Sequence, residues 1–412
     1  MASRLLPLVL DAACAAAALA STGAAAAPGQ LDPAFGDRGR VHADNVLSGL
    51  GEDGTGLGSV RVLPDGRIVV VGSQRFCMGC FSQVVARYRP DGTPDPSFGA
   101  GGSGVRYFLG TDDYGDGSYG NGLVVRGDGG IVLGHEGGPA PRIASVAPEG
   151  APAAVETVLH APLAPRAQLP DGRIVAEAPG GRLVVLRPDL TPDPSFHGGA
   201  GIRVPAALGT RLGVAGTRDA LLVAGTGGRD LLLARFPLDG SRATMMRARL
   251  PRPASGPRWK PVFPTDGLHV ANGRAVIVST WARTVGRETT ERTVVGAFSL
   301  RAKGPVASFG KGGVAFVGQR YMRAALQRDG RVVLVAATSS RPSGLRDNLL
   351  IRRLDRTGRP DPTFPLRIVP TGLRLLMGLD MALDPKGRIL VAGGAFEEYP
   401  SKGVLLMRFL AR

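Results

Sequence analysis

The sequence predicts an all-β fold: a seven-bladed β-propeller of four-stranded antiparallel blades, its ring closed by an N-terminal strand that completes the last blade. Three observations predict it. A tight Asp-Gly turn that releases a short apolar run recurs along the chain. A second signature, Asp-Pro-x-Phe, recurs between those turns. The pieces missing from the final repeat stand at the other end of the chain.

The turn is clearest in Pro64-Asp65-Gly66-Arg67-Ile68-Val69-Val70-Val71. It returns as Pro170-Asp171-Gly172-Arg173-Ile174-Val175, Arg328-Asp329-Gly330-Arg331-Val332-Val333 and Pro385-Lys386-Gly387-Arg388-Ile389-Leu390. Weaker copies are Gly127-Asp128-Gly129-Gly130-Ile131, Ala271-Asn272-Gly273-Arg274-Ala275 and Arg218-Asp219-Ala220-Leu221. Glycine enters a left-handed backbone without strain and Asp219 tolerates one, so each copy reads as a hairpin turn with a strand leaving it. The runs that follow are apolar without alternation, the pattern of strands buried on both faces.

A variable loop then leads to another apolar strand, as in Val84-Val85-Ala86-Arg87-Tyr88 and Leu349-Leu350-Ile351-Arg352-Arg353-Leu354. After it comes Pro94-Asp95-Pro96-Ser97-Phe98, repeated at Pro192-Asp193-Pro194-Ser195-Phe196 and Pro360-Asp361-Pro362-Thr363-Phe364, and degraded at Ala307-Ser308-Phe309. A short closing strand follows, so each unit offers four strands in meander order, one propeller blade. The turn residues Gly66, Gly129, Gly172, Asp219, Gly273, Gly330 and Gly387 stand about 43 to 63 residues apart, a blade-sized period, and count seven blades. The last unit stops after its third strand. Leu31-Asp32-Pro33-Ala34-Phe35-Gly36, leading to Val41, supplies the missing signature and strand, so residues 28–43 are expected to close the last blade and protect both terminal edges.

The alternation of Asp-Gly-Arg turns with Asp-Pro-x-Phe units resembles the delta-60 repeat family of bacterial surface and secreted proteins. The likeness is strong around 60–108, 166–204 and 321–365, and weak around 120–160 and 206–258. It implies a propeller-like β fold and an envelope or extracellular role, and it brings no catalytic residues.

Export is also expected from residues 1–27, which read as a signal peptide: Arg4, an apolar stretch from Leu5 to Ala20, and small residues at Ala24–Ala27. Cys14 is a poor fit to a lipid-anchoring site because Asp11 precedes it. No later apolar run is long enough for a transmembrane segment, which leaves 28–412 as one propeller domain, expected to be monomeric. Glycine (61) and proline (33) punctuate a chain that is 43% apolar, so they mark turns in a folded protein and not disorder. The net charge of +16 comes almost wholly from arginine, spread over every repeat. Such charge attracts acidic surfaces, but without a basic stripe interleaved with aromatics it does not predict specific nucleic-acid binding.

Few residues suggest chemistry. Cys77 and Cys80, in an exported protein, read as a local disulfide across a loop tip, since a structural zinc would need a second pair. Asp112, Asp113 and Asp116 form an acidic, glycine-rich loop that is a weak match to a calcium site; no other cofactor is expected. His42, His135, His160, His197 and His269 show no metal-ligand spacing, and no nucleophile elbow or P-loop is present. The repeated Asp32, Asp95, Asp193 and Asp361 read as turn caps, and the phenylalanines after them as packing between blades. Irregular loops at 74–82, 281–292 and 339–347 join second and third strands and so share one rim. Trp281, Arg283, Arg287, Arg341 and Arg346 on two of them are the expected recognition residues for an unknown protein or acidic polymer. The first functional reading is an exported, non-enzymatic binding or scaffolding module. The alternative is a propeller-type hydrolase or lactonase with a metal in its central channel.

Overall fold

A computed structural model describes residues 27–43, 57–77, 80–109, 123–135, 142–148, 155–159, 161–251, 259–263, 267–318, 320–338, 348–372, 375–396 and 403–411. Seven antiparallel sheets follow one another along the chain. Blades 1 to 7 occupy residues 57–109, 123–159, 164–203, 210–249, 260–317, 323–370 and 375–409, the last completed by Arg40–Ala43. Blade 5 is the irregular one: its first strand is split into Lys260–Phe263 and Leu268–Ala271, and its fourth into Gly304–Pro305 and Val314–Val317. Among the described residues no helix is long and apolar enough to cross a membrane.

Each blade is built at its first turn. In blade 1 the Gly66 N–H donates to the Leu63 carbonyl at 2.9 Å and the Leu63 N–H to the Arg67 carbonyl at 2.8 Å. Gly66 sits at φ +88, as Gly129, Gly172, Gly330 and Gly387 do at similar angles, a region that only glycine occupies cheaply. Asp219 departs from expectation, since its φ is not positive. In blade 4 the Thr217 hydroxyl accepts the Ala220 N–H and so shapes the turn. Asn272 and Gly273 are both left-handed, a two-residue hairpin. The strands that leave these turns are buried on both faces, as at Ile68–Val71 and Val332–Ala336.

The hydrophobic core is a ring of seven clusters, each lying between two neighbouring blades. Phe98 fills the space between blades 1 and 2, Phe196 between 3 and 4, Phe309 between 5 and 6, and Phe364 between 6 and 7. Phe35, from the N-terminal segment, fills the space between blades 7 and 1. Blades 2 and 4 lack the Asp-Pro-x-Phe signature. The cluster after blade 2 is closed by aliphatic side chains such as Leu186 and Leu190, and the cluster after blade 4 by Trp281 and Phe298 of blade 5.

The ring closes as the sequence predicts. Arg40–Ala43 pairs antiparallel with Val404–Phe409, Arg40 opposite Met407 and Ala43 opposite Val404. The Asp32 N–H donates to the Arg408 carbonyl at 2.8 Å and the Leu410 N–H to the Gln30 carbonyl at 2.9 Å. Blade 7 is therefore made from both ends of the described chain.

Candidate functional site

The repeated aspartates are structural, and they do more than cap turns. Asp95 Oδ1 accepts the Ser97 N–H and hydroxyl, while its Oδ2 takes the buried Arg87 guanidinium at 2.6 Å. That guanidinium lies 4.7 Å from the centre of the Phe98 ring and donates to the Pro148 carbonyl of blade 2. Arg353 does the same with Asp361, Phe364 and the Ala411 carbonyl of blade 7, and Arg408 with Asp32, Phe35 and the Pro90 carbonyl of blade 1. The turn arginine adds a second contact in blades 1, 6 and 7, Arg67 to Asp95 at 3.7 Å, Arg331 to Asp361 at 3.2 Å and Arg388 to Asp32 at 2.8 Å. In blade 3 Val185 stands in the place of the buried arginine, and the turn arginine Arg173 meets Asp193 at 2.6 Å. Asp32, Asp95 and Asp361 thus bind two guanidinium groups each, and the buried one of each pair reaches a backbone carbonyl of the next blade.

Function must then lie where the repeat is broken. The first strands of the blades line a central channel with a cavity of about 810 Å³. Its walls carry small or aliphatic residues such as Gly213, Ala324 and Val270, together with Arg61, Arg166, Glu177, His269 and Asp380. Asp380 of blade 7 joins three blades. It accepts the Ser59 hydroxyl at 3.0 Å and the Val60 N–H at 2.7 Å from blade 1, and meets Arg61 of blade 1 at 3.2 Å and Arg323 of blade 6 at 3.4 Å. Glu177 is held by Arg166 at 3.1 Å. Among the described residues no three His, Cys, Asp or Glu side chains gather as metal ligands.

The channel continues toward the end where first strands turn into second strands. There a cavity of about 570 Å³ is walled by the turns of blades 1, 5, 6 and 7, and it shares Val62, Val270, Leu326 and Leu383 with the channel. Gln327, Arg328, Asp384 and Lys386 line this mouth. The second-to-third-strand hairpins, where recognition residues were expected, project from the opposite end.

Trp281 corrects that expectation. It is fully buried between blades 4 and 5, and its indole N–H donates to the Ser279 hydroxyl at 2.6 Å. The hairpin of blade 5 has twelve-residue strands, Arg274–Val285 and Glu288–Ser299, so Trp281 lies inside the ladder opposite Arg292 and not in the loop. Arg283 is half-buried, and Arg287 stands exposed at the hairpin tip. Arg341, Arg346, Asp112, Asp113 and Asp116 lie outside the described residues. Cys77 and Cys80 are paired across the backbone ladder at the end of their hairpin, and their side chains also lie outside the description.

Comparison with known proteins agrees with this architecture. Residues 63–98 match the model of a β-propeller domain of unknown function (DUF5122). No curated protein sequence matches the chain. Among solved structures, the β-propeller domain of the Trilobed protease from Pyrococcus furiosus aligns over 87% of this chain and 94% of its own, with 9% identity and a TM-score of 0.50. A protein of unknown function from Dyadobacter fermentans aligns over 91% and 100%, with 14% identity and a TM-score of 0.42. A prolyl endopeptidase aligns over 83% of this chain, with 12% identity and a TM-score of 0.46, and the chain spans 46% of that structure. At 9% identity the property shared with the Pyrococcus furiosus propeller is the fold alone.

Proposed function

We propose that this chain is an exported, non-enzymatic β-propeller of the delta-60 repeat type, a binding or scaffolding module of the cell envelope or the space outside it. The observation that carries the reading is the state of the channel. Among the described residues both carboxylates of its lining are engaged by arginine, Asp380 by Arg61 and Arg323 and Glu177 by Arg166, and they stand on different blades. A guanidinium that occupies a carboxylate competes directly with a cation for the same oxygens. Gln327, Arg328 and Lys386 stand at the mouth, on turns held by a rigid ring, which suits recognition.

Three measurements test this reading. The purified mature chain should co-sediment with isolated envelope material at low ionic strength and be released by molar salt. Metal analysis of protein purified without chelator should find no stoichiometric calcium or zinc. Ester or lactone hydrolysis that is lost in Asp380→Asn would overturn the reading in favour of a channel enzyme.

A further inference from the structure

At the mouth of the channel the adjacent turns of blades 6 and 7 differ in charge from the regular turn. The regular turn is Leu63-Pro64-Asp65-Gly66-Arg67 in blade 1 and Leu169-Pro170-Asp171-Gly172-Arg173 in blade 3. Its leucine is buried between blades, and its aspartate holds its arginine, Asp65 to Arg67 at 2.6 Å and Asp171 to Arg173 at 2.7 Å. Such a turn is apolar inside and electrically balanced outside.

Blade 7 reads Asp384-Pro385-Lys386-Gly387-Arg388. The carboxylate has moved two positions back, to the place of the leucine, where Asp384 binds the Arg388 side chain at 2.6 Å and accepts its N–H at 2.8 Å. The arginine keeps its partner, and the aspartate's own place is free for Lys386. Lys386 is exposed, lines the mouth and pairs with no carboxylate among the described residues. Blade 6 reads Gln327-Arg328-Asp329-Gly330-Arg331. Arg328 replaces the proline, is exposed, lines the same cavity and likewise has no ion-pair partner among the described residues. Gln327 replaces the leucine. It is 7% exposed, its amide N–H reaches the Gly387 carbonyl of blade 7 at 3.4 Å, and its Oε1 is buried without a hydrogen-bond partner.

The turns of blades 2, 4 and 5 vary too, but those of blades 6 and 7 bring their changes of charge onto one cavity. Here the departures place two unpaired cations and one unsatisfied acceptor on a single cavity. Its volume of about 570 Å³ falls in the range of small-molecule sites. The turn of blade 6 is braced from outside, with the Arg328 carbonyl accepting the Asn272 amide of blade 5 at 2.6 Å. Deepening the binding role proposed above, and resting on it, we infer that the mouth binds a hydroxyl-bearing anion, an acidic sugar or a polyol phosphate. Its anionic oxygens meet Lys386 and Arg328, and one of its hydroxyls donates to Gln327 Oε1. A bare anion satisfies only half of this arrangement, and a neutral sugar only the other half.

The test titrates glucuronate, glycerol phosphate and inorganic phosphate into the full mature chain by calorimetry and ligand-observed NMR. Glucuronate or glycerol phosphate should bind more tightly than inorganic phosphate, and which of the two is favoured names the source. Lys386→Asp, which restores the regular turn residue, should weaken that binding at least tenfold. Gln327→Leu should bring it to the level of inorganic phosphate. Lys311→Asp, the same charge change away from the mouth, should bind like the parent, and all variants should keep the parent melting temperature. Equal weakening by Lys311→Asp, no effect of Lys386→Asp, or no binding of any probe overturns the assignment. The two readings fail separately. Envelope co-sedimentation without probe binding removes the mouth site and leaves the binding module standing. Turnover of a bound probe removes the non-enzymatic reading and leaves the site.

Discussion

Arg408 donates to Asp32 at 2.8 Å across 376 positions of sequence. The same contact joins Arg87 to Asp95 and Arg353 to Asp361 across eight. The closure is thus the joint that blades 1 and 6 make, assembled here from two distant segments of the chain. Both partners are buried, and removing one partner of such a pair strands the other without solvent. Asp32→Ala is expected to destabilise the ring by about 3 kcal/mol or more. In Asp193→Ala the exposed side of Arg173 keeps both water and Asp171, so the loss should be nearer 1 kcal/mol. Denaturant midpoints of the two variants check the difference, and equal midpoints would refute the special weight of the latch. Deleting residues 28–43 removes Phe35 as well and should lower the midpoint further still.

These joints also set an acid limit. Burial pushes the carboxyls of Asp32, Asp95, Asp193 and Asp361 upward, but backbone N–H donors, hydroxyls and guanidinium groups outweigh it and hold all four below the ordinary value of 3.8. A carboxyl whose pKa is lower folded than unfolded stabilises the fold above the unfolded value, and that stability is lost as pH falls through the folded value. Unfolding free energy should therefore be level from neutrality to about pH 5 and fall steeply below about pH 4. Midpoints measured from pH 7 to pH 3 test this. A profile that rises on acidification would contradict it.

The blade count and the closure were legible in the sequence because both rest on backbone rules. A left-handed glycine marks the turn of every blade but the fourth, and strand order within a blade is fixed, so a missing fourth strand had to come from somewhere. The joints were not legible. Arg87 reads as the polar end of an apolar run, and nothing local shows that its guanidinium turns inward to Asp95 and on to the Pro148 carbonyl of the next blade. Trp281 misled for a related reason: polar residues follow it, and the extra length of the blade 5 ladder lies in pairing that the sequence does not display. Gln327 and Lys386 were not singled out, since each stands in a turn that otherwise follows the repeat. Only the ring places them on one cavity.

Gly92 and Gly387 separate two effects of glycine in this fold. Both are left-handed, at φ +94 and +79. A Cβ on Gly387 meets nothing within 4 Å, so Gly387→Ala should lose only the left-handed penalty of about 1–2 kcal/mol. A Cβ on Gly92 would lie 2.6 Å from Val41 Cγ2 and 2.8 Å from Phe35 Cε2, inside the closing segment. Overpacking there adds about 1–3 kcal/mol, so Gly92→Ala should unfold at clearly lower denaturant than Gly387→Ala. Equal midpoints would mean that the closing segment yields freely, against its tight packing.

Trp281 does for blade 4 what the missing signature phenylalanine does elsewhere. It fills the space between blades 4 and 5 among Leu222, Leu231 and Met246, and its indole N–H satisfies the buried Ser279 hydroxyl. Trp281→Ala should leave a large cavity and an unpaired hydroxyl, at about 3–5 kcal/mol. Arg287→Ala, at the exposed tip of the same hairpin, should stay within about 0.5 kcal/mol of the parent. Fluorescence gives a second readout, because Trp259 is half-exposed and Trp281 is fully buried. In a Trp259→Phe background the remaining emission should be blue-shifted and resist iodide quenching until the ring unfolds. Emission that iodide quenches in the native state would place Trp281 at the rim. A loss of binding in Trp281→Ala with its midpoint unchanged would do the same.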